Sequence, residues 1–140
     1  MSTPHDLQDD ERIREFIAEP GRIAVIGMKP SGAARSIPLA MASKGFEIVP
    51  VNPKYDDVAG FESYPTVSDV PGTVDIVDIF RRSEAIDEHV DQILKMDPLP
   101  GLVWFQLGIR NNGAAKRLAE AGIPVVQDRC LKVEYNRLVG

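Results

Sequence analysis

One cysteine, one tryptophan and two histidines are all that this chain of 140 residues contributes of those residue types. A lone Cys130 excludes an internal disulfide. The two histidines, His5 and His89, stand far apart, one in a tail and one on the polar side of a predicted helix. Neither has the spacing of a metal ligand set or the company of a catalytic group. No apolar run approaches the length of a bilayer span. A basic excess is lacking too: 16 Lys and Arg stand against 21 Asp and Glu, for a net charge of −5. This removes the strong positive field on which nucleic-acid or anionic-membrane binding rests. Near the N-terminus lie Asp6, Asp9, Asp10 and Glu11, where a secretory signal would place a positive segment, so a cytoplasmic location is expected.

What is present is an ordinary globular composition, 44% hydrophobic and 26% charged, in one domain over residues 1–140 with a helical extension over 1–20. At this length folding buries roughly two-thirds of the chain's surface. Five short apolar runs rich in β-branched residues recur: RIAVIG (22–27), FEIVPV (46–51), VDIVDIF (74–80), LVWFQL (102–107) and IPVVQD (123–128). Helix-like sequence lies between most of them, which is the rhythm of β-α units, and near-continuous apolar strands mark a parallel sheet covered on both faces. Helices are predicted from Ser36 to Lys44, with Pro38 in the first turn, over 83–96 with Ser83 as N-cap, and over 111–122 with Asn111 as cap and Gly122 as stop. An opening helix carries Ile13, Phe16 and Ile17, and a closing one Leu131, Tyr135 and Leu138. The stretch from Asn52 to Gly72, with Pro53, Pro65 and Pro71, reads as a long loop holding one helical turn near 64–71. The expected fold is a doubly wound, Rossmann-like α/β domain of about five parallel strands, whose ligand crevice lies outside the strands' carboxyl ends.

Those ends carry the chemistry. Lys29 with Arg35 nearby, Lys54, the pair Arg81 and Arg82, and Arg110 bring cations from four strands to one rim. On an acidic protein this suggests a small polyanion such as a phosphate ester, although Lys and Arg are also common in surface loops. The turn GMKPSG (27–32) has a P-loop's glycine spacing, but Ala33 and Ala34 stand where Lys and Ser or Thr are needed. It reads either as a phosphate cradle leading to a helix start or as a structural turn. At the end of the second strand Asn52-Pro53 replaces the acidic residue that holds a ribose in NAD-binding domains, which disfavours an NAD-dependent oxidoreductase. Asp75 and Asp78 lie within the third strand and suit capping or loop anchoring, and Trp104 reads as core.

The motifs AVIGMKPSG, GFEIVPVNP, VDIVDIFRR, WFQLGI and VVQDRCLKVEY, in this order and spacing over about residues 20–138, resemble the small stand-alone CoA-binding proteins. They are similar also to the N-terminal CoA-binding domain of the succinyl-CoA synthetase α subunit and of nucleoside-diphosphate-forming acyl-CoA synthetases. The resemblance implies a site for CoA or an acyl-CoA. Gly27, Met28, Lys29 and Ser31, with Ser36 and Ile37, would meet the diphosphate and upper pantetheine. Val51, Asn52, Pro53 and Lys54 would border the adenine and the phosphorylated ribose. Phe80, Arg81 and Arg82 would flank the nucleotide, and Gln106, Gly108 and Ile109 would line the pantetheine path. The synthetases' phosphohistidine and nucleotide-grasp domains have no counterpart here, so a non-catalytic binding, carrier or regulatory module with no metal is expected. An enzyme acting on a CoA thioester, or by thiol exchange at Cys130, is the alternative, with Cys130 otherwise a free structural thiol.

Overall fold

The computed structural model describes residues 6–140; His5 lies outside them. The chain runs α1 (Asp10–Ile17), β1 (Arg22–Ile26), α2 (Ala33–Ala42), β2 (Glu47–Val51), a hairpin of β3 (Asp57–Val58) and β4 (Phe61–Glu62), β5 (Ile76–Ile79), α3 (Ile86–Ile93), β6 (Leu102–Phe105), α4 (Asn112–Glu120), β7 (Val125–Val126) and α5 (Leu131–Leu138). Five strands form one sheet in the order β2-β1-β5-β6-β7, and every pair is parallel. Winding leaves β1 outward to β2, then resumes on the other side at β5. The gap between the ends of β1 and β5 is therefore the topological switch point, where ligands of open α/β sheets bind.

The strand sequences are apolar at nearly every position because both faces are covered. Ala24, Ile26, Val77, Ile79, Val103 and Phe105 pack with Ile86, Val90 and Ile93 of α3 and Ala114, Ala115 and Leu118 of α4. Their alternating neighbours Ile23, Val25, Ile76, Leu102 and Trp104 pack with Ile13 and Ile17 of α1, Met41 of α2, and Leu131 and Tyr135 of α5. Burying each such aliphatic side chain contributes about 1.5–3 kcal/mol. Trp104 is fully buried, as its sequence context implies, and its indole N–H donates to the Arg129 carbonyl at 2.8 Å. Among the described residues no helix is long and apolar enough to cross a membrane.

Three local expectations change. The stretch after β2 holds its helical turn at Val67–Asp69, but also the β3–β4 hairpin, whose two-residue strands are too short to leave a periodic signal. The Tyr64 N–H donates to the Pro50 carbonyl at 3.0 Å, and the Asn52 N–H to the Tyr64 carbonyl at 2.9 Å, so this segment covers the free edge of β2. An edge strand is also where a proline such as Pro50 is tolerated. Helix α2 begins at Ala33 rather than Ser36, because Gly32, at φ 76°, caps it and its carbonyl receives the N–H groups of Arg35 and Ser36. Pro38 thus falls inside the helix. Ser83 does not cap α3; it opens a 3-10 turn (Ser83–Ala85), and its hydroxyl accepts from the Arg110 N–H.

Asn111 does cap α4, accepting from the Ala114 N–H at 3.0 Å, while its amide donates to the Ser83 carbonyl at 3.0 Å. One side chain thereby ties the helix start to the end of β5. Asn111→Ala is expected to lower stability by about 1–2 kcal/mol, a lost cap plus a lost hydrogen bond, read as a lower urea midpoint with unchanged m-value.

Candidate functional site

An open cavity of about 690 Å³ lies across the carboxyl ends of β1, β5 and β6. The β1 end supplies Lys29, and Ile37 comes from α2; the β5 end supplies Phe80, Arg81 and Arg82; the β6 end supplies Gln106, Gly108 and Ile109. Much of the expected crevice is thus brought together in a single concavity. The cations differ in availability. Lys29, Arg35, Lys54 and Arg81 form no ion pair among the described residues, whereas Arg82 lies 3.6 Å from Glu84, with both side chains well exposed. Arg110, expected on the rim, is diverted. Its guanidinium bonds Asp6 at 3.0 Å and Asn112 at 3.2 Å, which holds the segment before α1 against the start of α4.

The remaining expected residues lie elsewhere, and each for a visible reason. The Met28 side chain is fully buried in the core beneath α2, and Val51 is buried on the opposite face of the sheet. Asn52 is buried; its amide donates to the Met28 carbonyl and its side-chain oxygen accepts from the Lys54 N–H, both at 3.0 Å. That residue staples the first loop to the end of β2. Pro53 and Lys54 are exposed beyond it. Ser31 and Ser36 line a separate shallow depression with Pro30, Gly32 and Arg35. Gly27 is required by packing, since at φ 85° a Cβ there would stand 2.5 Å from the Phe80 carbonyl oxygen.

Proline within α2 ties the loop after β1 to the helix. Lacking an N–H, Pro38 leaves the Ala34 carbonyl without its helical donor, and the Lys29 N–H takes that place at 3.3 Å. The Lys29 backbone is therefore committed to structure, and only its side chain is free. The N–H groups of Ala33 and Ala34, in the first turn of α2, make no hydrogen bond among the described residues, and both residues line the cavity. A helix N-terminus presenting free N–H groups beside Lys29 and Arg81 suits an anionic oxygen. The helix start expected at Ser36 thus lies three residues earlier, at Ala33.

Three further lining residues, Leu107, Ser83 and Glu84, were not among the expected ones, and Cys130, weighed from the sequence as a thiol-exchange residue or a free structural thiol, lines the cavity with them. Leu107 is 70% exposed, an apolar side chain at the mouth, and its position between Gln106 and Gly108 was the available signal. Cys130 follows the fifth strand's carboxyl end, so the strand-end rule that located the others applies to it as well.

Residues 21–136 match the family described as the CoA binding domain. The chain belongs to this family. As a CoA-binding-domain protein it is similar to YneT of Bacillus subtilis (strain 168), 34% identical over 125 residues that cover 88% of this chain and 91% of YneT. It is also similar to a solved structure from Thermus thermophilus, cell-free ID.343, at 39% identity and TM-score 0.87, with 94% of this chain and 99% of the other covered. The ADP-forming acetate–CoA ligase I of Archaeoglobus fulgidus is 27% identical over 117 residues, 82% of this chain but 17% of the ligase.

In this family member the most unusual titratable group is Asp78. It is 1% exposed in the middle of the sheet, where one oxygen accepts from the Gln106 amide at 2.7 Å and the other has no partner. Capping and loop anchoring, expected of both acidic residues in this strand, apply only to Asp75, which accepts from the Arg22 N–H at 2.8 Å. Burial raises the Asp78 pKa from 3.8 to about 7, against the lowering effect of the Gln106 hydrogen bond. The native state then keeps a proton that the unfolded chain releases, so stability is greatest below the unfolded pKa and falls as pH rises toward the folded one. The slope is about 1.4 kcal/mol per pH unit across the window from 3.8 to about 7. Asp78→Asn is expected to lack this component in urea titrations repeated along that range. An unchanged slope would place the proton elsewhere.

Proposed function

We propose that this chain binds coenzyme A, free or acylated, in the cavity at the switch point, and that it acts as a non-catalytic binding, carrier or regulatory module. The observation that carries the reading is the division of the cavity wall. Lys29, Arg81 and the free N–H groups of α2 gather on one part, while Gln106, Leu107 and Ile109 give another an amide and apolar surface. CoA has the matching parts, a diphosphate with a further phosphate and an amide-containing, mostly apolar arm. Exposed Pro53 and Lys54 lie at the neighbouring strand end, where an adenine and a phosphorylated ribose would extend. The likeness to an acetate–CoA ligase, which extends over 17% of that protein, supports the same ligand class.

Two features weigh against an NAD-dependent oxidoreductase. The end of β2 offers no carboxylate to a ribose, and Asn52 has both its side-chain groups engaged with backbone partners. Cys130, Ser83 and Glu84 line the cavity, and among the described residues no hydrogen bond joins any two of them; Ser83 accepts from Arg110 and Glu84 lies near Arg82. His89 is half-buried rather than on a fully polar face; its Nδ1 lies 3.4 Å from Gln92, and burial lowers its pKa. It does not line the cavity.

Calorimetric titration with CoA, dephospho-CoA, NAD and ATP tests the reading. CoA is expected to bind more tightly than dephospho-CoA, and NAD not to bind measurably. Arg81→Ala should weaken CoA by about 1–3 kcal/mol through loss of charge-assisted hydrogen bonds. Tight NAD binding without CoA binding would overturn the assignment.

A further inference from the structure

Asp78 and Gln106 meet where the two strands that carry the cavity wall lie side by side. Alternation along β5 sets Val77 and Ile79 in one core and Ile76 in the other, so Asp78 shares the face of Ile76. Register places it beside Val25 of β1 and Trp104 of β6. Gln106 comes two residues after Trp104, and its amide donates to Asp78 Oδ1 at 2.7 Å. Gln106 lines the cavity, as do Phe80 and Arg81 just beyond Asp78 on the neighbouring strand. One side-chain bond thus ties together two strands whose ends form the wall.

That bond leaves each side chain half satisfied. Asp78 Oδ2 and Gln106 Oε1 are buried acceptors without a partner, on residues only 1% and 3% exposed. An ionised Asp78 would be a charge inside the sheet with one hydrogen bond and, among the described residues, no ion pair, a costly state. Turning the amide over gives no relief, because Oε1 would then take the place 2.7 Å from Oδ1, and two oxygens at that distance need a proton between them. In either orientation one proton turns an unsatisfied pair of oxygens into a hydrogen bond. The helices over this face supply no counter-charge. Their buried members are Ile13 and Ile17 of α1, Met41 of α2, and Leu131 and Tyr135 of α5. Tyr135 is the titratable member of that core, and half-buried Cys130 heads α5 at the cavity. The charged side chains of α1 and α2 are exposed, as are Lys132 and Arg137 of α5, while Arg129 and Glu134 bond each other at 3.4 Å.

We propose that the pair is a proton-operated clamp on the cavity wall: Asp78 is a neutral acid whose Oδ2–H donates to Gln106 Oε1, and loss of that proton weakens binding in the cavity. For CoA as the ligand, the inference rests on the proposed function. Without the proton the two oxygens repel each other, and a charge at this depth is stabilised only by admitting water between the strand ends. The wall then loosens at Gln106, and a negative charge is added behind a cavity that holds an anion. Both effects act in the same direction. Burial raises the Asp78 pKa to about 7, so the clamp is closed below that pH and opens as pH rises through it. Asp78→Asn replaces the acid proton by amide hydrogens and can keep both bonds to Gln106 at every pH, which makes it the permanently closed form.

An NMR pH titration of the labelled full chain without ligand tests the clamp itself. The Asp78 carboxyl carbon and the Gln106 side-chain amide are expected to shift together, with one midpoint at about pH 7, and the Gln106 amide of Asp78→Asn to stay unchanged across that range. An Asp78 carboxyl that ionises in the ordinary carboxylate range, or a Gln106 amide that does not follow it, would overturn the clamp. Calorimetry with reduced CoA, well below and well above the observed midpoint, then tests control of the cavity. Titration of the CoA phosphate, of Cys130 and of Tyr135 is common to wild type and variant, so the comparison isolates Asp78. Wild type is expected to lose about fivefold more affinity than Asp78→Asn, or more still, on going to the higher pH. Equal losses would overturn control of the cavity. No CoA binding by either protein at either pH would remove the CoA reading alone, and the NMR titration would then decide the clamp.

Discussion

The cavity depends on how closely two strands approach where the winding of the sheet reverses. At the ends of β1 and β5 the chain must part in opposite directions while the backbones stay in contact, and Gly27 makes this possible. Its positive φ and missing Cβ admit the Phe80 carbonyl into space that any side chain would fill. From that point the first loop turns outward and the β5 end turns the other way, so Lys29 and Arg81 come to face one volume. Two polar staples hold the arrangement: Asn52 on the Met28 carbonyl and the Lys29 N–H on the Ala34 carbonyl that Pro38 leaves free. Gly27, Met28 and Asn52, expected at the ligand, thus also shape the site. The groups left over at the cavity are two helix N–H donors and two cations without an ion pair, Lys29 and Arg81.

The opposite wall is built from the last third of the chain. Asp128 and Arg129 fasten the segment before α5 to the end of β6 through Gly108, Ile109 and Trp104. Nearby, the Gln127 amide bonds Asp6 at 2.6 Å and the Asp6 carboxylate receives Arg110. The N-terminal segment thus braces the same corner from outside. An acidic chain gains a cationic cavity in this way because Arg110 is neutralised by a structural partner while Lys29 and Arg81 are not.

The sheet was legible because β-branched runs buried on both faces need no help from distant residues to be recognised. The β3–β4 hairpin was not, since two-residue strands carry no periodicity and owe their existence to the edge of β2. Pro38 misled the reading of α2: proline is usual in a first turn, and its tolerance deeper in the helix depends on a donor, the Lys29 N–H, supplied by tertiary structure. The strand-end rule located the crevice, yet it could not separate Arg81, which faces the cavity, from Arg110, whose partner Asp6 lies 104 residues away. Nor could it show that Met28 and Val51 turn inward while Leu107 turns out. The pairing of Gln106 with Asp78 on the neighbouring strand is likewise a contact without local sequence signature.

The central claim is a location as much as a ligand. A heteronuclear NMR titration of the labelled protein with reduced CoA tests it directly, because backbone and side-chain amides report where the ligand sits. Saturable shifts are expected to concentrate at Ala33, Ala34, Arg81, Gly108 and the Gln106 side-chain amide. Shifts confined to the depression around Ser31 and Ser36, or no saturable shifts at all, would contradict it.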